Sequence, residues 1–131
     1  MRLPNAEHAR VDREKLTDYL LCVSHPDGGS KAEFFARFGF RVEDWEVLAE
    51  ALRRHGAHYD VVNTVDSAYG THYAVDGPLE TPDGRNPLVR TVWIIDKGSA
   101  RPPLITAAAA ASAQRLLVSA SRLANQVIPA T

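Results

Sequence analysis

The strongest constraint on the fold is a run of apolar, β-branched and aromatic residues at positions 88–96. The segment reads Leu-Val-Arg-Thr-Val-Trp-Ile-Ile-Asp, and its second half is almost continuously apolar. This composition is typical of a strand buried on both faces near the centre of a sheet. Because side chains alternate along a strand, Thr91 and Trp93 should share one face and Arg90 should lie on the other.

Three helices are predicted upstream of this strand, because residues 12–55 carry apolar side chains at helical spacing. The first begins after Asp12, the second spans residues 30–38, and the third spans residues 42–54 and ends at Gly56. Their predicted inward faces are apolar: Leu16, Tyr19, Leu20, Phe34, Phe35, Phe38, Trp45, Leu48, Ala49 and Leu52.

The pattern changes from helix to strand at residue 57. Strand signals at residues 59–65, 69–76 and 104–106 join the segment at 88–96, and turn residues separate them. Helices followed by a strand meander predict an α+β fold, with N-terminal helices packed on a four-stranded, mostly antiparallel sheet. Residues 1–106 are predicted to form this single domain.

Residues 107–131 differ in composition from the rest of the chain. They are rich in alanine, contain no acidic residue, and carry a seam at four-three-four spacing: Leu116, Ala120, Leu123 and Val127. Such a seam predicts an additional C-terminal helix or tail that packs on its own domain or on a partner. If the helix packs on a partner, that partner can be a second copy of this chain, which gives a homo-oligomer formed through residues 107–131.

Composition narrows the function classes. The chain has 131 residues and a formal net charge of −1, so RNA binding would need a local basic patch rather than a global excess. Cys22 is the single cysteine, which excludes an intramolecular disulfide and a cysteine-rich zinc site. The sequence shows no signal-peptide core and no bilayer-spanning segment, so we expect a cytoplasmic protein without membrane contact.

Residues 25–32, His-Pro-Asp-Gly-Gly-Ser-Lys-Ala, carry the most chemistry. Ser30 followed by Glu33 matches a capping box, so a helix is predicted to begin there. The N–H groups of its first turn and the Lys31 ammonium would bind an anion beside the His25 imidazole, which titrates near neutral pH. The structural alternative is an ordinary turn in which the imidazole ties the loop to the helix.

A second group of polar residues offers a metal-site hypothesis. Its members are His55, His58, Asp60, His72 and Asp76. Two histidines and a carboxylate can bind zinc or iron, but this spacing matches no compact ligand motif. We therefore predict no metal and no cofactor.

Short motifs distributed over residues 3–106 carry a family resemblance. They are Leu3-Pro4-Asn5-Ala6, Lys15-Leu16, Tyr19, Leu20, His25-Pro26, Gly29, Lys31-Ala32, Phe35, Trp45, Tyr69-Gly70, Tyr73, Val75-Asp76-Gly77 and Val89-Arg90-Thr91-Val92-Trp93-Ile94. In this order they resemble a family of small bacterial domains of unassigned function. Members occur in toxin–antitoxin-like gene pairs and at the C-termini of polymorphic-toxin and phage-head-like proteins. The helices-then-meander layout resembles the barnase–EndoU–colicin–RelE group of metal-independent ribonuclease toxins.

The resemblance implies a toxin-like, metal-independent endoribonuclease, with RNA as substrate and a cognate antitoxin or immunity protein as partner. Such cleavage needs a proton-transfer group and donors that stabilise charge on the phosphate. The candidate catalytic residues are His25, Lys31, Thr91 and Thr106. The candidate substrate-binding residues are Ser30, Arg90 and Trp93.

One departure from the family pattern favours a different function. Family members tend to end in Leu-Val-Thr-Ala-Tyr-Pro, whereas this chain has Ala108 where the tyrosine is expected. If that tyrosine contributes to catalysis, the activity of this protein is weakened or lost. The alternative is a non-catalytic protein-binding module that uses the C-terminal helix and a sheet edge.

Overall fold

The strand predicted at residues 88–96 is confirmed over Leu88–Ile95 and lies inside a sheet, while Asp96 lies outside the described residues. The computed structural model describes residues 1–26, 29–68, 70–95 and 102–110. Within these ranges, four strands form one antiparallel sheet in the order β1-β2-β3-β4. The strands are β1 (Val61–Ser67), β2 (Gly70–Pro78), β3 (Leu88–Ile95) and β4 (Leu104–Ala109).

The helical elements precede the sheet, which confirms the α+β prediction. Helix α1 (Arg13–Lys15) passes directly into a π-helical turn (Leu16–Leu20). Helix α2 covers Gly29–Arg37 and helix α3 covers Trp45–His58. Short 3₁₀ turns lie at Ala6–His8 and Val42–Asp44, the second leading straight into α3.

The main core fills the space between the helices and one face of the sheet. Fully buried apolar side chains from both layers meet there: Leu16, Leu20, Phe35, Leu48, Leu52, Val75, Val89 and Trp93. Burial of each such side chain contributes about 1.5–3 kcal/mol. This core fixes α1, α2 and α3 over the sheet and thereby sets the positions of the polar side chains described below.

The opposite face of the sheet carries a second apolar cluster. Its buried members all come from strands: Ala74, Val92, Ile94, Ile105 and Ala108. Arg90 pairs in register with Ala108 on this face, whereas Thr91 pairs with Ala107 of the main core. The predicted separation of Arg90 from Thr91 and Trp93 is therefore confirmed.

Helix α3 does not end at Gly56, as its sequence predicts, but continues to His58. A Cβ atom on Gly56 would lie 2.5 Å from the Trp93 ring. The glycine is thus needed for close packing of helix on strand rather than for a helix stop.

The start of α2 also differs from the prediction. The helix begins at Gly29, so Ser30 lies inside its first turn and does not cap it. A Cβ atom on Gly29 would lie 2.7 Å from the Val23 carbonyl oxygen. Glycine at this position therefore allows the preceding loop to approach the start of α2 closely.

The predicted boundary at residue 107 falls inside β4, which continues through Ala109. The rest of the predicted C-terminal helix, residues 111–131, lies outside the described residues. None of the helices in the described ranges combines the length and apolar character needed to cross a membrane.

Candidate functional site

The ring of Tyr19 is the meeting point for several predicted site residues. It projects from the π-helical turn after α1 and is largely buried. The His25 ring packs against it edge-on, with the ring centroids 5.0 Å apart and an interplanar angle of 73°. The Lys31 ammonium nitrogen lies 5.8 Å from its centroid, and that of Lys15 lies 5.5 Å from it.

The Tyr19 hydroxyl connects this group to the sheet. It forms a hydrogen bond of 2.9 Å with the Thr106 hydroxyl of β4, and either group can be the donor. The register between β3 and β4 shifts at this point, since Val92 pairs with Thr106 but Trp93 pairs with Leu104. We call the residues Lys15, Tyr19, His25, Lys31 and Thr106 the Tyr19 cluster.

The loop between the π-helical turn and α2 holds His25 in place. The His25 N–H donates to the Cys22 carbonyl at 3.2 Å, and the Gly29 N–H donates to the His25 carbonyl at 2.9 Å. The second bond takes one N–H group of the first turn of α2. His25 and Lys31 are both half-buried.

Tyr19 lies within a π-helical turn. The Leu21 N–H donates to the Leu16 carbonyl at 2.7 Å, an i to i+5 bond that widens the helix by one residue. π-helical turns are rare in proteins overall, and many of those that occur lie at functional sites. Burial lowers the pKa of Lys15, and the negative charge of Asp12 acts in the opposite direction.

The cluster brings together two ammonium groups, one imidazole and two hydroxyl groups. An ammonium near an aromatic ring is attracted to the ring electrons by about 0.5–2 kcal/mol, depending on its exposure. Tyr19 can thus help to orient both lysines. This arrangement can bind an anion and transfer a proton next to it.

Thr91 and Trp93 do not join the cluster. The Trp93 indole N–H donates to the Thr91 hydroxyl at 2.8 Å, and Thr91 lies 3.0 Å from His55 Nδ1. Nε2 of His55 lies 2.8 Å from the Val89 carbonyl oxygen and 3.0 Å from that of Gly77. We call His55, Thr91 and Trp93 the His55 network.

The contacts of His55 define its protonation state. The two carbonyl oxygens accept, so Nε2 carries the proton, and Nδ1 accepts from the Thr91 hydroxyl. Burial lowers the pKa of His55, while the Gly77 and Val89 carbonyls and the Asp76 charge act in the opposite direction. The uncharged imidazole therefore links α3 to the sheet through hydrogen bonds. Thr91 and Trp93 are fully buried beside it.

Arg90 and Ser30 also lie apart from the cluster. The Arg90 guanidinium makes a bidentate pair with Asp76, its partner across the strands, at 2.7 and 2.9 Å. That bond raises the pKa of Arg90. The Arg90–Asp76 pair lies on the face of the sheet opposite Tyr19. Ser30 is exposed on the first turn of α2 and precedes Lys31 in the sequence.

The metal-site hypothesis requires its histidines and carboxylates to lie close together in the fold. No three His, Cys, Asp or Glu side chains in the described ranges are grouped closely enough to hold a metal ion. His55 faces the main core, whereas Asp76 on β2 pairs with Arg90 on the neighbouring strand β3. His72 is fully buried on β2, where burial lowers its pKa and the nearby Val65 carbonyl acts in the opposite direction.

The sequence predicts Tyr19 as a core residue and places Lys15 in a family motif, but it does not identify either one as a candidate site residue. Tyr19 is indeed packed in the main core, but its edge and hydroxyl also organise the cluster. The spacing of Lys15 and Tyr19, four residues apart on a helix, is the signal that could have linked them. The role of Thr106 as a partner of Tyr19 depends on the strand register, for which the sequence carries no comparable signal.

Most of this sequence matches a known domain family. Residues 2–110 match the family described as "Domain of unknown function (DUF6883)". The chain belongs to this family. The DUF6883 region includes the four described strands and the whole Tyr19 cluster, and it ends one residue after β4.

A solved structure is similar to this DUF6883 domain. It is a chain of a contact-dependent growth inhibition toxin–immunity protein complex from Klebsiella pneumoniae 342, with a TM-score of 0.60 and 20% sequence identity. The match covers 82% of this chain and 97% of that chain, and at this identity it is a likeness of fold. No curated protein matches the sequence.

Proposed function

We propose that this domain is a toxin-like, metal-independent endoribonuclease that acts at the Tyr19 cluster. The observation that carries the proposal is the convergence of His25 and Lys31 on one ring, with both side chains half-buried at the surface. The likeness of fold to a chain from a toxin–immunity protein complex supports the toxin class.

In the proposed reaction, His25 removes the proton from a ribose 2′-hydroxyl, and the 2′-oxygen attacks the adjacent phosphorus. The P–O5′ bond then breaks and leaves a 2′,3′-cyclic phosphate. The departing 5′-oxygen takes a proton from water, and His25 returns its proton to the hydroxide that remains. Lys31 stabilises the additional negative charge on the phosphate during this step.

Thr106 acts in this proposal through Tyr19. Its hydroxyl is fully buried against the tyrosine hydroxyl, so it positions the ring and does not touch RNA. Thr91 and Trp93 serve stability through the His55 network. Arg90, held by Asp76 on the other face, has no part in the chemistry.

The test is cleavage of total RNA and of tRNA by the purified chain in the presence of a chelator. We expect products that end in a 2′,3′-cyclic phosphate, and we expect His25→Ala to lower the rate at least about 100-fold. His8→Ala is the matched control, because His8 is an exposed histidine on the 3₁₀ turn Ala6–His8, where it lies 3.8 Å from Glu7. Absence of cleavage by the unmodified chain, or equal cleavage by His25→Ala, would remove the proposal.

The partner proposed for such a toxin is an immunity protein. The similar solved chain comes from a complex that contains one. Co-expression of a neighbouring gene product should relieve growth arrest caused by this domain and should co-purify with it. Relief without co-purification would contradict a direct immunity partner.

The second candidate is the non-catalytic binding module, and it rests on Ala108. This residue packs in the second apolar cluster and pairs with Arg90, away from Tyr19. A tyrosine at this register position would project from the second face of the sheet, so its loss alters that surface rather than the Tyr19 cluster. If Ala108→Tyr changes partner binding and leaves RNA untouched, the binding function is favoured.

A further inference from the structure

The second apolar cluster is buried, although no helix of the described ranges contributes a side chain to it. Ala74 and Val92 expose no surface, and the other three buried members expose less than a tenth of theirs. The apolar helical side chains described above belong to the main core on the other face. A single sheet layer leaves an uncovered face open to water, so this burial requires a second layer on the same side.

The surroundings of His72 indicate that this layer excludes water. His72 lies between Val65 of β1 and Ile94 of β3 in the strand register, on the face of the second apolar cluster. Its side chain is fully buried, and neither ring nitrogen makes a hydrogen bond to the described residues. The nearby Val65 carbonyl is thus not in hydrogen-bonding geometry. An imidazole on an open face would instead be hydrated.

We propose that residues 111–131 of the same chain form this layer, as an amphipathic helix that folds back over the sheet after β4. The described chain reaches Ala110 directly after β4, an edge strand whose Ala108 is a member of the cluster. The segment therefore starts at the border of the face that it covers. This docking concerns the face opposite the Tyr19 cluster and is independent of the ribonuclease proposal.

The apolar seam of the segment fits the cluster in size. From Leu116 to Val127 the seam rises about 16 Å along a helix. Together with Val65, the cluster crosses all four strands, which is three inter-strand spacings or about 14 Å. Ala74 and Ala108 are small, so a helix can approach the sheet closely at these positions.

The other stretches outside the described ranges are unsuited to this role. Residues 27–28 and 69 are too short, and residues 96–101 read Asp-Lys-Gly-Ser-Ala-Arg, which is almost entirely polar. In residues 111–131 the charged side chains are Arg115 and Arg122, seven positions apart on one flank of the seam, so no charge interrupts its apolar surface. The burial is that of one chain taken alone, so neither a second copy nor a partner is needed to account for it.

The test is the pattern of methyl–methyl nuclear Overhauser effects in the full chain, with the methyl groups of Ile, Leu and Val labelled. We expect cross-peaks from Ile94 and Ile105 to Leu116 and Leu123, since apolar side chains in contact lie within about 4.5 Å of each other. Cross-peaks within the main core are the positive control. If these are present and neither isoleucine gives a cross-peak to residues 111–131, the proposal is overturned.

A mixed sample distinguishes docking within one chain from docking on a second copy. Half of the molecules carry labelled Ile methyl groups and the other half carry labelled Leu methyl groups. The proposal predicts that the Ile–Leu cross-peaks disappear in this sample. Cross-peaks that persist would place the segment of one molecule on the sheet of another and would overturn docking within a single chain.

A matched pair of substitutions tests which side of the helix faces the sheet. Leu123 lies in the seam, whereas Val118 lies on the opposite side of the predicted helix. Leu123→Gln should lower the midpoint of urea unfolding by about 1 M, and Val118→Gln should shift it by less than about 0.3 M. Equal shifts would contradict the proposed orientation. If Leu123→Gln does not fold, the cross-peaks of the unmodified chain decide.

Discussion

The Tyr19 cluster and the His55 network use the same kinds of side chain in different surroundings. Each joins an aromatic ring, a histidine and a threonine hydroxyl. In the network, His55 is buried. In the cluster, His25 is half-buried and packs against the same ring, Tyr19, that two lysines approach. Burial, rather than residue type, distinguishes a structural histidine from a candidate for chemistry.

The largest expected difference between the two regions is in stability. Replacement of His55 by alanine leaves a cavity and removes the partner of the buried Thr91 hydroxyl, so the free energy of unfolding should fall by about 2–4 kcal/mol. His25→Ala should lower it by less than about 1 kcal/mol, because that ring is half-buried. Urea unfolding of the two variants measures the difference. Equal losses would mean that the two histidines do not have different roles.

The next effect concerns the close contact between α3 and β3. Gly56→Ala places a methyl group against the Trp93 ring and should cost about 1–3 kcal/mol. The contacting atoms belong to the part of the indole that phenylalanine lacks, so Trp93→Phe should reduce this cost. A double-mutant cycle by thermal or urea unfolding tests the coupling. Additive effects of the two substitutions would contradict the packing argument.

A smaller effect is expected for the hydroxyl pair of the cluster. Tyr19→Phe and Thr106→Val each remove one partner of a buried hydrogen bond and should cost about 1 kcal/mol. Because both act on the same bond, the double variant should lose less than the sum of the single losses. Additive losses in the double variant would contradict a direct bond between the two hydroxyl groups.

The mildest expected effect is on the pH dependence of stability. Burial lowers the pKa of His55 in the folded state, whereas an unfolded imidazole titrates near about 6.5. Below that pH the unfolded chain takes up a proton that the folded chain resists, so the contribution is present above it and is lost as pH falls.

His55→Gln tests this directly, since it should flatten the decline in unfolding free energy between about pH 7.5 and about pH 5. His58→Gln, which removes an exposed imidazole from the same helix, should leave the decline as it is. His72 contributes in the same direction, because burial lowers its pKa too, so the decline should persist in part in His55→Gln. An unchanged decline in His55→Gln would contradict the assignment of a neutral, buried ring.

Sequence patterns predicted the elements better than the contacts. The strand at residues 88–96 was predictable because its composition and alternation depend on local burial alone. The continuation of α3 past Gly56 was not, since it depends on the distance between a helix and a tryptophan on a strand remote in sequence. Helix ends are generally set by such tertiary contacts as well as by local signals.

The candidate site was predictable in part for the same reason. His25 and Lys31 lie in one segment, and their chemistry can be identified from residue type. Their convergence with Thr106 required a tyrosine on another helix and a register shift between two strands. Thr91 was a reasonable candidate by residue type and strand face, yet a histidine on α3 engages its hydroxyl in the core.

The most direct test of the contrast between the two regions is an NMR titration of the five histidine rings with a 2′-O-methyl oligoribonucleotide as the probe, since it lacks the hydroxyl that attacks the phosphate and is not cleaved. The account predicts that the His25 ring signals shift with the concentration of the probe, while those of His55 stay in place. A shift of the His55 signals with no change at His25 would contradict the assignment of the Tyr19 cluster as the ligand site and of the His55 network as structure.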